Sequence, residues 1–240
     1  MGPNCRQAMI YWLLQSQTAQ PDLARNEVPP GLLAPSEARR LQAMTSPERR
    51  RDWLLGRWTA KRLLQQVMEK EDGVDLPLDG LIIEMSRNGA PRATFRPPWT
   101  GRDFAISLSH SHGVALCAVS GDADVALGVD LEWIEPRSTR FVGDFLTGTE
   151  AAHLGESSRA THVSALWSAK EAVLKALGLG FHVDAKAVTC HIETPAARPD
   201  AWLPFAVTLH PEHLPSAESL PTLRGWWQVS GGLVLTLVTT

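Results

Sequence analysis

The longest regular alternation of apolar and polar positions in this chain begins at Ser46. That residue offers a side-chain oxygen at an N-cap, Pro47 suits the first turn, and Glu48 sets an acid near the positive end of the helix dipole. The spacing predicts a helix running to about Glu69. Leu63, Leu64, Val67 and Met68 form its apolar face, and Leu54, Leu55 and Trp58 extend it less regularly. A second helical period covers residues 161–177 and is stopped by Gly178 and Gly180, with a shorter one at 141–146. In the 161–177 helix, Ser164, Ser168, Glu171 and Lys175 make a polar stripe opposite Leu166, Val173 and Leu177. The stripe is narrow, so packing on more than one side is expected.

Strand patterns fall at 80–85, 104–109, 114–119, 125–133, 187–192 and 205–209, with a hairpin over 225–239 around Gly231-Gly232. The runs at 104–109, 114–119 and 125–133 read as a β-meander. Segment 20–36 is rich in Pro and Gly and reads as an irregular connector, and 91–102 reads as a loop after a turn at Asn88-Gly89. The order is helix then strands, twice. It predicts an α+β fold of two halves, 1–122 and 123–240, meeting near residues 120–125, although no sequence repeat is visible.

The chain's 240 residues suffice for one large domain or two small ones, and 44% hydrophobic with 20% charged residues is an ordinary soluble balance. The apolar runs fall far short of a membrane span, and Arg6 with the polar residues after Leu14 breaks any signal-peptide pattern. Cys5, Cys117 and Cys190 form no close-spaced ligand motif and read as free thiols in a reducing compartment, so a cytoplasmic location is expected. A net charge of −3 argues against a general nucleic-acid binder. Between Ser36 and Arg62, however, eight Lys or Arg face three acids. Arg50, Arg57 and Lys61 lie at i, i+7 and i+11, a basic stripe that reads either as a solvated face or as an anion site.

Three further patterns carry candidate chemistry. Asp130 and Glu132 share one face of a strand while Val129, Leu131 and Trp133 point the other way. Such a pair suits a hard divalent cation, although an isolated D-x-E is more often a wet strand face. Glu171 and Lys175 sit at i, i+4 in the favoured orientation for a helix salt bridge, worth only ~0.2–0.5 kcal/mol. Ser109-His110-Ser111-His112-Gly113 ends a strand and reads as a polar turn; it lacks the elbow of a nucleophilic serine and the partners of a zinc site.

Taken in order, these patterns resemble the long, single-chain 4′-phosphopantetheinyl transferases. The resemblance rests on Leu54-Leu55-Gly56-Arg57, Asn88-Gly89-Ala90-Pro91, Ser109-His110-Ser111, the strand at 128–132 (G-V-D-L-E) and the helix at 167–175 (W-S-A-K-E-A-V-L-K). It implies two similar α+β halves in a pseudo-twofold arrangement, with coenzyme A and Mg2+ (or Mn2+) in the cleft between them. Asp130, Glu132 and Glu171 would hold the metal. Lys175 would contact the diphosphate, Ser109 and His110 the phosphates, and Arg57 with Arg50 and Lys61 the 3′-phosphate region. Arg87, Asn88 and Gly89 would lie against the nucleotide end, and Lys170 would also face the cofactor. Many relatives have lysine where this chain has Ala90, a gap that Arg87 or Arg92 would fill. The implied reaction moves 4′-phosphopantetheine to a serine of an apo acyl or peptidyl carrier protein, with release of 3′,5′-ADP. Glu171 and Lys175 would be catalytic, and the protein a monomer without nucleic-acid or membrane partners. The rival readings are another Mg2+-dependent phosphodiesterase and a non-catalytic module binding coenzyme A or an acidic protein.

Overall fold

Two long helices, each laid on antiparallel strands, organise the structure, a computed structural model that describes residues 9–86, 89–156, 158–180, 183–193, 200–215 and 220–240. In chain order the described elements are β1 (Ile10–Ser16), α1 (Pro21–Ala24), α2 (Pro35–Gln42), α3 (Pro47–Asp72), β2 (Leu81–Met85), β3 (Pro91–Phe95), β4 (Ala105–Ser111) and β5 (Val114–Ser120). They continue with β6 (Leu127–Trp133), α4 (Thr139–Phe145), α5 (Gly148–Ala152), α6 (Arg159–Ala176), β7 (Val188–His191), β8 (Leu203–Leu209), β9 (Arg224–Ser230) and β10 (Leu233–Thr239). The fold is α+β. Strands pair in the orders β1-β5-β4, β6-β10-β9-β8-β7 and β2-β3, and every pairing is antiparallel.

Helix α3 starts as its sequence dictates. Ser46 Oγ accepts the Arg49 N–H, Pro47 occupies the first turn, and Gly73 ends the helix in the left-handed conformation at φ 67°. Its Ala60, Leu63, Leu64, Val67 and Met68 pack on Ile106 of β4 and on Cys117 and Val119 of β5. Helix α6 lies on β6 and β10, burying Leu166, Ala169, Ala172 and Val173 with Val234 and Val238. On the other side of those strands, Leu127, Val129 and Leu131 of β6 join Leu233, Leu235 and Leu237 of β10 and Leu116 and Ala118 of β5. These strands are therefore covered on both faces, which is why residues 233–238 read as an almost continuous apolar run. Each fully buried Leu or Val in these layers contributes roughly 1.5–3 kcal/mol.

The structure departs from the sequence reading in four places. Residues 10–16 form β1, paired with β5 from Ile10↔Ser120 to Ser16↔Val114. The connector at 20–36 contains α1, and α2 begins at Pro35. The 91–102 loop contributes β3, whose Pro91 is its first residue, a place where a missing N–H is tolerated. Finally, the meander is broken: β4 and β5 form a hairpin, but β6 pairs with β10. The hairpin around Gly231-Gly232 forms as expected, with positive φ at both glycines (57° and 81°), the backbone a tight two-residue turn demands.

One device occurs twice. Glu37, three residues into α2, accepts the Ala34 N–H of its own helix start and the Ile83 N–H of β2, and pairs with Lys61 of α3. Glu150, at the same place in α5, accepts the Thr147 N–H and the Cys190 N–H of β7, and pairs with Lys170 of α6 at 2.9 Å. In each case a buried carboxylate caps a short helix, satisfies a strand and neutralises a lysine from the long helix.

Candidate active site

Gly128 sets the geometry. A Cβ there would lie 1.8 Å from the Ala172 carbonyl oxygen, so only a residue without a side chain lets α6 settle this closely on β6. The next residues on that face, Asp130 and Glu132, are thereby drawn against the helix. Its polar stripe is not solvated but turned onto the strands: Ser164 Oγ donates to the Trp133 carbonyl, Ser168 Oγ bonds Thr236 Oγ1, and Lys175 reaches β6.

Asp130 is 4% exposed. Its Oδ1 accepts from Ser109 Oγ at 2.8 Å and Lys175 Nζ at 2.7 Å, while its buried Oδ2 has no hydrogen-bond partner among the described residues. Glu132 accepts from Trp167 Nε1 on Oε1 and from Arg137 Nη2 on Oε2, both at 3.0 Å. Burial, reinforced by the neighbouring Asp130 charge, pushes its carboxyl upward. Glu171 is pushed further, to about 7, first by burial and then by Asp130 and Glu132, with Lys175 pulling the other way. Lys175 also donates to the Val129 carbonyl at 3.1 Å. It thus reaches across to Asp130 rather than along α6 to Glu171.

A cavity of about 970 Å³ opens beside this cluster. Arg57 and Trp53 of α3, His110 of β4, Gly89 of the β2–β3 turn, and Glu171 and Lys175 of α6 all contribute to its walls. Arg57 is 3% exposed, and its guanidinium stacks on Trp53 at 4.4 Å. Its Nε stands 3.5 Å from Glu37 Oε1 without hydrogen-bond geometry, and its Nη2 is also unsatisfied among the described residues. Burial lowers its pKa to about 10, which still leaves a cation at neutral pH.

Several expected site residues stand elsewhere. Lys61 is fully buried, donating to Glu37 and to the Leu32 carbonyl, and Lys170 is fully buried, donating to the Ala185 and Val188 carbonyls beside Glu150. Neither reaches the cavity, because a buried ammonium needs a carboxylate partner and each long helix has one waiting on its far side. Arg50 donates to the Leu41 and Met44 carbonyls, closing the end of α2. Of the basic stripe, only Arg57 lines the cavity. Ser109 spends its hydroxyl on Asp130. Arg92 is exposed and pairs with Asp103 at 3.4 Å. Arg87 and Asn88 lie outside the described residues.

Sequence reasoning missed Trp53 at the cavity and the two donors on Glu132, while Arg40 and Arg49, which also line the cavity, belong to the basic run weighed as an anion site. The basic run at 49–51 was a signal for Arg49; nothing in the order of residues ties Arg137 to Glu132.

For a divalent cation the fit is one of charge. Burial, with the repulsion of neighbouring carboxylates, raises the pKa values of Glu132 and Glu171, and Asp130 presents a buried oxygen with no donor among the described residues. Among the described residues no three His, Cys, Asp or Glu side chains converge on a single metal-sized point. Mg2+ takes one or two carboxylates and completes its shell with water and substrate phosphate, and the buried Asp130 Oδ2 is an oxygen of that kind.

Three similarities to known proteins were found. The family model of the 4′-phosphopantetheinyl transferase superfamily matches residues 126–222. The 4′-phosphopantetheinyl transferase gsp of Aneurinibacillus migulanus is 26% identical over 133 residues, covering 54% of this chain and 49% of that protein. The chain thus spans about half the length of this curated relative. A solved apo-ACPS structure from Chronobacterium ammoiniagenes aligns at 19% identity and a TM-score of 0.37, over 47% of this chain and 96% of that one. Asp130, Glu132, Glu171 and Lys175 all lie within the segment that this family model matches.

Proposed function

We propose that this protein transfers the 4′-phosphopantetheine group of coenzyme A to a serine of an apo carrier protein, in a reaction that depends on Mg2+. The observation that carries this reading is one cavity lined both by Arg57 and His110 and by Glu171 and Lys175. Cations for phosphates and a proton acceptor thus face the same space from two different long helices and a strand end.

The acceptor serine oxygen attacks the β-phosphorus of coenzyme A, and the bond to the bridging oxygen of 3′,5′-ADP breaks. Lys175 stands at the cavity wall and opposes the negative charge that develops on the diphosphate. Arg57, a cation with unsatisfied donors, holds a terminal phosphate farther along α3. Glu171 is suited to take the serine proton: a carboxyl pushed up to about 7 is deprotonated in about half of the molecules at neutral pH and is more basic than an ordinary carboxylate. A divalent cation, when bound, would neutralise the diphosphate and the leaving oxygen. Asp130, through Oδ2, and Glu132 would hold it, with Glu171 beside them.

The test is intact-mass spectrometry of apo acyl and peptidyl carrier proteins incubated with this protein, coenzyme A and Mg2+. The expected result is a gain of one phosphopantetheinyl group that disappears with EDTA. Release of 3′,5′-ADP without carrier modification would point to a phosphodiesterase. Retention of coenzyme A with neither product would point to a binding module.

A further inference from the structure

Glu132 is held from two directions. Trp167 of α6 donates to Oε1, and Arg137, in the link between β6 and α4, donates to Oε2. Arg137 is itself fixed by three contacts. Its Nη2 bonds Glu132 at 3.0 Å, its Nη1 pairs with Glu135 at 3.0 Å, and its guanidinium carbon stands 5.1 Å from the centre of the Phe141 ring. The Glu132 and Arg137 side chains are only 21% and 23% exposed, so the pair is shielded from solvent far more than a surface bridge.

We infer that Arg137 is a positioning residue that orients the Glu132 carboxylate for the divalent cation. This inference rests on the reading of Asp130 and Glu132 as metal ligands. A carboxylate oxygen carries two lone pairs, so donors from Trp167 and Arg137 fix the plane of the group and still leave lone pairs for a metal. Carboxylate ligands are held in this way by outer hydrogen-bond partners, and loss of such a partner costs about 10–100-fold in metal affinity. The pairing of charges points the same way. Lys175 acts on Asp130 as Arg137 does on Glu132, so each strand carboxylate has its own cation. Arginine is needed rather than lysine, because its planar fork reaches Glu132 and Glu135 with different nitrogens while lying over Phe141.

The test is Mn2+ titration followed by EPR, in the presence of coenzyme A, on the full chain and on Arg137→Gln, Arg137→Lys and Glu135→Gln, each with a metal-free melting curve. Arg137→Gln is expected to raise the Mn2+ Kd about 10–100-fold. Arg137→Lys should recover part of that loss. Glu135→Gln, which removes one of the three contacts that fix Arg137, should raise the Kd less than Arg137→Gln does. Unchanged or tighter Mn2+ binding in Arg137→Gln, with a parental melting temperature, would remove the role. If that variant melts early, Arg137→Lys decides: parental affinity would overturn the inference. Failure of the parent protein to bind Mn2+ would overturn the metal-site reading itself, and this inference with it.

Discussion

Ser109 of β4 donates its hydroxyl hydrogen to Asp130 Oδ1 of β6 at 2.8 Å, across a junction where the two strands belong to different sheets. Two positions earlier on β4, Ser107 Oγ accepts the Val129 N–H at 2.9 Å. The two sheets are thus pinned to each other by serine side chains, and one of those pins aims the acid at the centre of the site.

Ser109→Ala should therefore act through Asp130. The loss of a hydrogen bond to a charged group is expected to cost about 1.5–3 kcal/mol of stability, read from the denaturant midpoint. The Mg2+ concentration for half-maximal transfer should rise while the coenzyme A KM changes little. A large KM change without a metal effect would return Ser109 to direct phosphate contact.

Glu171→Gln should abolish transfer and leave a folded protein whose stability differs from the parent in a pH-dependent way. The folded carboxyl titrates at about 7, above its ordinary 4.5, so the folded state binds the proton more readily than the unfolded state. Parent stability then falls as pH rises from about 4.5 through about 7. The Gln variant escapes this loss. In metal-free buffer it should be more stable than the parent at pH 8, by about 1–2 kcal/mol after allowance for partial exposure, and the advantage should fade below about pH 4.5. Melting curves at both pH values check the sign.

Lys170 and Lys175 lie on one helix, but their substitutions should fail differently. Lys170→Met leaves Glu150 charged and buried without its cation, a loss of about 3–5 kcal/mol. Lys175→Met should cost far less stability, because its ammonium is partly exposed at the cavity, and should instead lower kcat by about 10²–10³-fold. Paired melting and rate measurements separate the two. Preserved stability in Lys170→Met would contradict its structural assignment.

Gly128→Ala should be among the most damaging single changes outside the charged residues. The added methyl meets backbone rather than a yielding side chain, so the helix must lift from β6, at a cost of about 3 kcal/mol or more. The expected signature is a large drop in melting temperature, with weakened metal dependence in whatever remains folded.

Much of this was written in local order. The N-cap and proline before α3, the glycines after α6, the Gly-Gly hairpin and the period-2 facing of Asp130 and Glu132 all follow from short-range rules, because those rules depend on neighbours a few residues apart. Tertiary structure decided the rest. Residues 10–16 are a strand only because β5 offers an edge about a hundred positions later. Lys61 and Lys170 read as cations for the cofactor until Glu37 and Glu150, supplied by distant short helices, are seen to pair with them in the interior. The same holds for the site: D-x-E, S-H-S and K-E-x-x-x-K marked residue types and faces, yet which lysine meets which acid was fixed by the approach of α6 that Gly128 allows. Periodicity reports which way a side chain points; only packing reports what is waiting there.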